Sequence, residues 1–319
     1  MRNLLEQWGS KYGSAEVQPL VDGVWRCSLD GETYILKRRT NRTRAWEEYD
    51  LLQWLKEHNQ PVSLFLCTTE GVPWAEYQGS FYVFYPYLDG TPGNALDVME
   101  PSLAGEVGAK LAKLHQALET YGSRLEFPGF GLFHEVSSYA WPTVQSYSSQ
   151  KFHYRLHDLG QDISTQLVNP YEALPRQLIH RDLHPGNLLF NDGRLVGILD
   201  FDRVRIGIRL FDICYLSTGV LSSCFSESNK RERWLGFVQD LLKGYNAVQP
   251  LEKTEGHVFL YVIYLIQLLF IAYHLDEGNT NLADVNLAVL FWIYDQHDYL
   301  QPLIEKAVTS SGRDVVTRE

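Results

Sequence analysis

The stretch LIHRDLHPGNLLF, residues 178–190, sets His180, Asp182 and His184 at alternate positions, with Asn187 just behind them. On a strand, H-x-D-x-H would turn all three side chains to one face, as a zinc site could use. Pro185 and Gly186 follow at once and suit a loop better than a ladder, and no further His or Cys cluster completes a shell. A polar turn without a role would leave three such residues crowded together at a cost. The chain beyond them supports a third reading. After Asn187 it runs LLF-NDG-RLVGILDFD, two apolar runs around Asp192-Gly193, which is the signal of a hairpin. A hairpin brings its open ends together, so Asn187 and Asp200 are expected to emerge near each other, with Asp182 five residues upstream of Asn187. Two oxygen-bearing side chains at one point suit a hard cation such as Mg²⁺, which takes one or two protein oxygens and fills its shell with water and phosphate.

The rest of the chain divides into two parts. Residues 1–87 read mostly as strands: VWRCSL-DG-ETYILK (24–37) is a second hairpin signal, whose two-residue loop would pair Leu29 with Glu32 and Lys37 with Val24. VSLFLCTT after Pro61 and SFYVFYPYL are further strand-like pieces. One helix is expected over about 43–58, with Leu51, Leu52 and Leu55 on one face and Glu48 on the same side, ahead of its neighbour Glu47. From Pro101 onward the pattern turns helical, interrupted by the hairpin after Asn187. The fold class is therefore α+β: a small antiparallel-sheet lobe with one helix, residues 1–87, followed by a larger, mainly helical lobe, residues 88–319.

HRDLHPGN resembles the catalytic loop of the protein-kinase-like fold, H-x-D with Asn five positions after the Asp, and LDFD resembles its metal-binding segment. Protein kinases usually carry Lys two residues after that Asp. The His184-Pro185-Gly186-Asn187 found here is similar instead to the aminoglycoside phosphotransferase and choline kinase superfamily, which includes homoserine kinase-like and spore-coat kinase-like proteins. The resemblance spans nearly the whole chain from about Val21 and is dense in motifs over 180–212. It implies a bilobal ATP- and Mg²⁺-dependent phosphotransferase in which 1–87 binds nucleotide and 88–319 carries catalysis and the acceptor. In that reading Asp182 takes the proton of the acceptor hydroxyl, and Asn187 and Asp200 hold the metal. Lys37, braced by Glu48, positions the α- and β-phosphates. YPYLDG (85–90) resembles the interlobe hinge, with the Pro86 carbonyl and the Leu88 N–H facing adenine. Asp212 in RLFDICYL resembles the aspartate that steadies the catalytic loop. Two features depart from the pattern of protein kinases. Only Gly23 stands in the loop where G-x-G-x-x-G would be, and 11 residues from Asp200 to Asp212 leave no room for a long activation segment. A regulated protein kinase is disfavoured. A pseudokinase that binds nucleotide without transfer is the rival of another class, and the complete set Lys37, Asp182, Asn187 and Asp200 speaks against it.

Charge and composition narrow the partners. The 319 residues carry a net charge of −11, which disfavours nucleic acid. Counted from the sequence, residues 1–87 hold −2 of that and the remainder −9. Four cysteines without a C-x-x-C pair point to a reducing cytoplasm, and MRNLLEQWGSKYG lacks the apolar core of a signal peptide. The apolar run 258–273 is short for a membrane span and contains Gln267, so a buried helix is expected. The acceptor is read as a small-molecule alcohol. Its candidate walls are SYAWPTVQSYSSQKFHYRLHDL (138–159) and AYHLDEG (272–278), and Asp276 and Glu277 in the second could select an amine-bearing acceptor. Asp202 is the alternative carboxylate for the metal.

Overall fold

The computed structural model describes residues 1–94, 99–121, 127–147 and 150–310. It divides into two compact units: Met1–Thr91 with Leu189–Asp192 and Val196–Asp202, and Pro92–Leu188 with Gly193–Leu195 and Arg203–Glu319. The hairpin after Asn187, placed by sequence reading wholly with the larger part, thus gives most of its residues to the smaller one.

The first unit is built on a five-stranded antiparallel sheet of β1 (Glu16–Val21), β2 (Val24–Leu29), β3 (Glu32–Arg39), β4 (Ala75–Tyr77) and β5 (Ser80–Pro86), ordered β1-β2-β3-β5-β4. Leu29 pairs with Glu32 and Val24 with Lys37, as the two-residue loop requires. Asp30 and Gly31 both have positive φ, 51° and 84°, the mirror-image turn whose twist matches paired strands. Helix Arg42–Glu57 is capped by the Asn41 side chain, which accepts from the Arg44 N–H, and it buries Ala45, Glu48, Leu51, Leu52 and Leu55 along one stripe.

One expectation for this unit fails. VSLFLCTT is not a strand: its backbone is satisfied piecemeal, Leu66 N–H by the Phe84 carbonyl, the Leu66 carbonyl by the Trp8 indole and Thr69 N–H by the Gln7 carbonyl. No single neighbouring strand is left for it to pair with. The N-terminal residues, where the sequence reading placed no particular element, form a short helix Arg2–Leu5 and two 3-10 turns. Leu4, Leu5, Trp8 and Tyr12 pack there on Cys27, Leu36 and Phe84, with the Trp8 and Tyr12 rings 5.3 and 5.2 Å from that of Phe84.

The second unit is mainly helical. Helices Pro101–Tyr121 and Trp234–Asn246 touch backbone to backbone: a Cβ on Gly108 would lie 2.0 Å from the Leu241 carbonyl oxygen, and one on Gly244 would lie 1.9 Å from that of Gly105. Glycine is required by that approach. Helix Lys253–Asp276 is longer than the 16-residue apolar run suggested, 24 residues, long and apolar enough to cross a membrane by length and composition, yet 72% of its apolar window is buried inside the protein. It is the core helix of the unit. Its start is fixed by a reciprocal cap between Glu252 and Glu255, and Glu255 is bound by the Arg209 guanidinium at 2.6 and 2.9 Å. Short strands complete the architecture. β6 (Thr91–Pro92) borders the hairpin of β8 (Leu188–Asn191) and β9 (Arg194–Ile198), while β7 (Arg176–Ile179) pairs antiparallel with β10 (Arg205–Ile208). Asp192 and Gly193 join β8 to β9 with φ of 47° and 70°, again the expected turn.

Candidate active site

In the second unit the loop after β7 is held by one carboxylate. Asp212, fully buried in the first turn of helix Leu210–Cys224, accepts from the backbone N–H of His180 at 2.7 Å and of Arg181 at 2.8 Å. A helix N-terminus favours that negative charge. His115 Nε2 lies 3.1 Å from the same carboxylate, and its Nδ1 lies 2.8 Å from the Tyr245 hydroxyl. Arg181 is thereby held at φ 68°, a left-handed conformation that a residue with a side chain adopts only when its surroundings impose it. The strained turn carries the chain to Asp182, whose carboxylate is half-buried and accepts from the Tyr215 hydroxyl at 2.9 Å.

The remainder of the motif braces the loop and leaves one further oxygen free to act. His184 caps the 3-10 turn Pro185–Asn187, its Nδ1 accepting from Gly186 N–H at 3.1 Å. Asn187 is buried and donates its amide to the Asp182 carbonyl at 2.8 Å, which leaves its oxygen as the candidate metal ligand. Arg181 stacks on Phe130 at 4.0 Å and reaches Glu135 at 3.3 Å. Burial lowers the Arg181 pKa, and Arg203 adds to this against the opposing charge of Glu135.

The first unit gathers a charged cluster on β3. Lys37 and Arg39 alternate onto one face; Lys37 forms an ion pair with Asp200 and lies 3.7 Å from Asp202, as does Arg39. Asp200 has φ 68°. Glu48 is the buried member of the pair Glu47/Glu48, but its partner is not Lys37. Arg39 binds it at 2.6 and 2.7 Å, with both side chains at most 6% exposed. The expected brace on Lys37 is corrected accordingly. Arg39 supplies two donors in a fork that matches a carboxylate, which one ammonium cannot. Glu47 pairs with Arg44 on the helix surface. Burial works against the Arg39 charge, but the Glu48 carboxylate beside it outweighs burial and holds the guanidinium pKa up.

Pro86 closes β5 opposite Tyr34, and its carbonyl already accepts from the Ser63 hydroxyl at 2.7 Å, so one lone pair is left for any further donor. Leu88 lies against Gly197, where an added Cβ would come within 3.2 Å of its Cδ1. Gly23 turns β1 into β2 at φ 73°, beside the surface ion pair of Asp22 and Arg38.

The proposed acceptor walls are tied to each other. Tyr139 donates to Asp276 at 2.6 Å, and, beyond the second wall, Tyr147 donates to Asp284 of helix Thr280–Asp295 at 3.0 Å. Asp276 is thus an exposed carboxylate already engaged, and Glu277 is exposed at the helix end. Residues 148–149 of the aromatic stretch lie outside the described residues. Beside that stretch is a cavity of about 700 Å³ lined by Phe133, Ser137, Trp141, His157 and Leu265; Asp182 does not line it.

Three residues that brace these clusters, Arg39 in the first unit and Tyr215 and His115 in the second, escaped the sequence reading. Arg39 had a signal, because it shares the face of Lys37 two positions along the strand. Tyr215 had one too, standing one helical turn after Asp212. His115 had none, lying 97 residues before its partner.

Comparison with known proteins bears on the family and the fold. The phosphotransferase enzyme family matches residues 21–255. The homoserine kinase of Phenylobacterium zucineum is 25% identical over 235 residues, 71% of this chain and 68% of that protein. That of Sinorhizobium medicae is 32% identical over 154 residues, 47% of this chain and 44% of its own length. Among solved structures, the aminoglycoside phosphotransferase of Alicyclobacillus acidocaldarius superposes with a TM-score of 0.67 at 14% identity, covering 98% of this chain and 96% of that one. A choline/ethanolamine kinase family protein from Mesorhizobium loti reaches 0.64 at 16% identity, covering 97% and 98%. At such identity these two structures speak for the fold, which is the kinase-like α+β fold. With most of its length matched, from Val21 to Glu255, the chain belongs to the phosphotransferase enzyme family.

Proposed function

We propose that the protein transfers the γ-phosphoryl group of ATP to a hydroxyl of a small molecule, in a cytoplasmic setting. The observation that carries this is the Asp212 clamp: a buried carboxylate that grips two successive N–H groups and forces Arg181 to positive φ, all to present Asp182. Strain of that kind persists where a position matters. Asp182 accepts the acceptor's proton as its oxygen forms a bond to Pγ and the bond from Pγ to ADP breaks. Lys37 steadies the α- and β-phosphates, held in place by the carboxylates it already pairs with. Glu48 contributes by fixing Arg39 beside that lysine, Gly23 lets the β1–β2 turn approach phosphate, and the Pro86 carbonyl and Leu88 N–H take the adenine edge. Asn187 Oδ1 and the Asp200 carboxylate are hard oxygen donors of the kind Mg²⁺ takes. When bound there, the ion neutralises charge on the phosphates.

The relatives are named as kinases of homoserine, aminoglycosides, choline and ethanolamine, which sets the acceptor panel. An amine-bearing alcohol remains the first candidate. The test is Mg²⁺-dependent phosphoryl transfer across that panel, in wild type and in Asp182→Asn. The amide keeps the shape but is no base, so turnover should fall by about 10²–10⁴-fold while nucleotide affinity stays within twofold or so. Equal losses in both would place Asp182 on the nucleotide side and overturn the assignment.

A further inference from the structure

Helix Leu210–Cys224 grips the loop at two points one turn apart. Asp212 takes the backbone of residues 180 and 181, and three positions later Tyr215 donates its hydroxyl to Asp182 Oδ1 at 2.9 Å. The Tyr215 ring is fixed between Phe211, stacked at 5.4 Å, and Phe270, at 5.3 Å. Phe211 in turn meets Phe130 edge-on at 5.0 Å, the ring on which Arg181 lies. We propose that Tyr215 is a positioning residue for phosphoryl transfer, locking the Asp182 carboxylate so that Oδ1 is occupied and Oδ2 meets the acceptor hydroxyl. This rests on the phosphotransferase reading above.

A half-buried tyrosine will take any acceptor within reach. Here the acceptor is the one carboxylate whose aim decides the reaction, and the rest of the helix turn is already committed to the same loop. An aspartate side chain rotates about two bonds, and backbone clamping alone does not fix its oxygens. One charge-assisted hydrogen bond from a ring that cannot move removes that freedom. The phenol remains a donor throughout: burial, and then the Asp182 charge, push its pKa far above the ordinary tyrosine value. During transfer the acceptor's proton passes to Oδ2 and the Tyr215 proton stays on its own oxygen.

The experiment is a double-mutant cycle on the full chain. Tyr215→Phe keeps the ring and its packing, so the melting temperature should be nearly unchanged. Turnover should fall about 10- to 100-fold, the size of one lost hydrogen bond to a charged group, with KM for ATP unaltered. In the Asp182→Asn background the same change should cost nothing further, because no carboxylate is left to aim. Phe270→Leu keeps the hydroxyl but frees the ring, and should lose part of the turnover that Tyr215→Phe loses. Full turnover in Tyr215→Phe overturns the proposal, and so do losses that add in the cycle or that simply track a fall in melting temperature. If wild type transfers phosphate to no acceptor, the phosphotransferase reading fails and takes this one with it; if Asp182→Asn transfers as well as wild type, Asp182 is not the base and Tyr215 has no carboxylate to aim. If only Asp182→Asn is impaired, the function stands and Tyr215 is packing.

Discussion

The difference between Lys37 and Arg39 shows how far residue chemistry can be read from sequence. Spacing identified a carboxylate on the buried stripe of helix Arg42–Glu57 and a cation on the facing strand. It selected the wrong cation of two that share that face, because alternation fixes which side a residue points to and not how far it reaches. The buried fork between Arg39 and Glu48 has a stability consequence. Removing one partner strands the other's charge away from water, so Glu48→Ala should destabilise the protein by about 3 kcal/mol in urea unfolding. Replacing both residues with apolar side chains should cost less than that. A loss below about 1 kcal/mol for the single change would mean water reaches Arg39. Asp182, Asn187, Asp200 and Asp212 stood out as candidates because each belongs to a motif with local spacing. His115 reaches the loop from a helix that only the fold brings there, whereas Tyr215 stands one turn after Asp212 on the same helix.

Elements were legible where the backbone itself demanded particular residues. Asp30-Gly31 and Asp192-Gly193 announced both hairpins, since few residue pairs accept positive φ twice in succession. The 62–69 segment misled because apolar content marks burial and says nothing about hydrogen-bond partners. The last helices were readable as apolar stripes, but not the pairing that joins them. Tyr264 on helix Lys253–Asp276 bonds His297 Nδ1 at 2.9 Å, at the start of helix His297–Thr309. Burial lowers the His297 pKa, against Asp298, Asp162 and Glu305 and together with His257. An imidazole whose folded pKa lies below its unfolded value binds fewer protons when folded, so its contribution is intact above the unfolded value of about 6.5. Stability is then lost as pH falls below that point. Melting curves from pH 7.5 to 5 should show this decline, and His297→Gln should flatten it. An equal decline in both proteins would assign the effect to other groups.

At the scale of the whole molecule, the switch from strands to helices near residue 100 was enough to set the fold class, and the net charge of −11 disfavoured nucleic acid as a partner. The division of the chain was not, because the 188–198 hairpin shuttles between units and no composition change marks it. A ligand that binds only the folded chain stabilises it by mass action. Mg²⁺ and ATP at a hundred times the dissociation constant should contribute about 2.7 kcal/mol, a rise of roughly 5 °C in the melting temperature. Chelating the metal should remove the rise, and Asp200→Ala should not show it; a full shift in that variant would give the ion to Asp202. The shuttling hairpin also bears on how the molecule can be dissected. Because Leu189–Asp192 and Val196–Asp202 complete the first unit, a gene fragment ending at codon 91 encodes a sheet without the segment that carries both carboxylates paired with Lys37. Domain swaps with relatives must exchange three separated stretches at once, and a circular permutant opened in the 192–193 turn would split the hairpin segment between the two new ends of the chain.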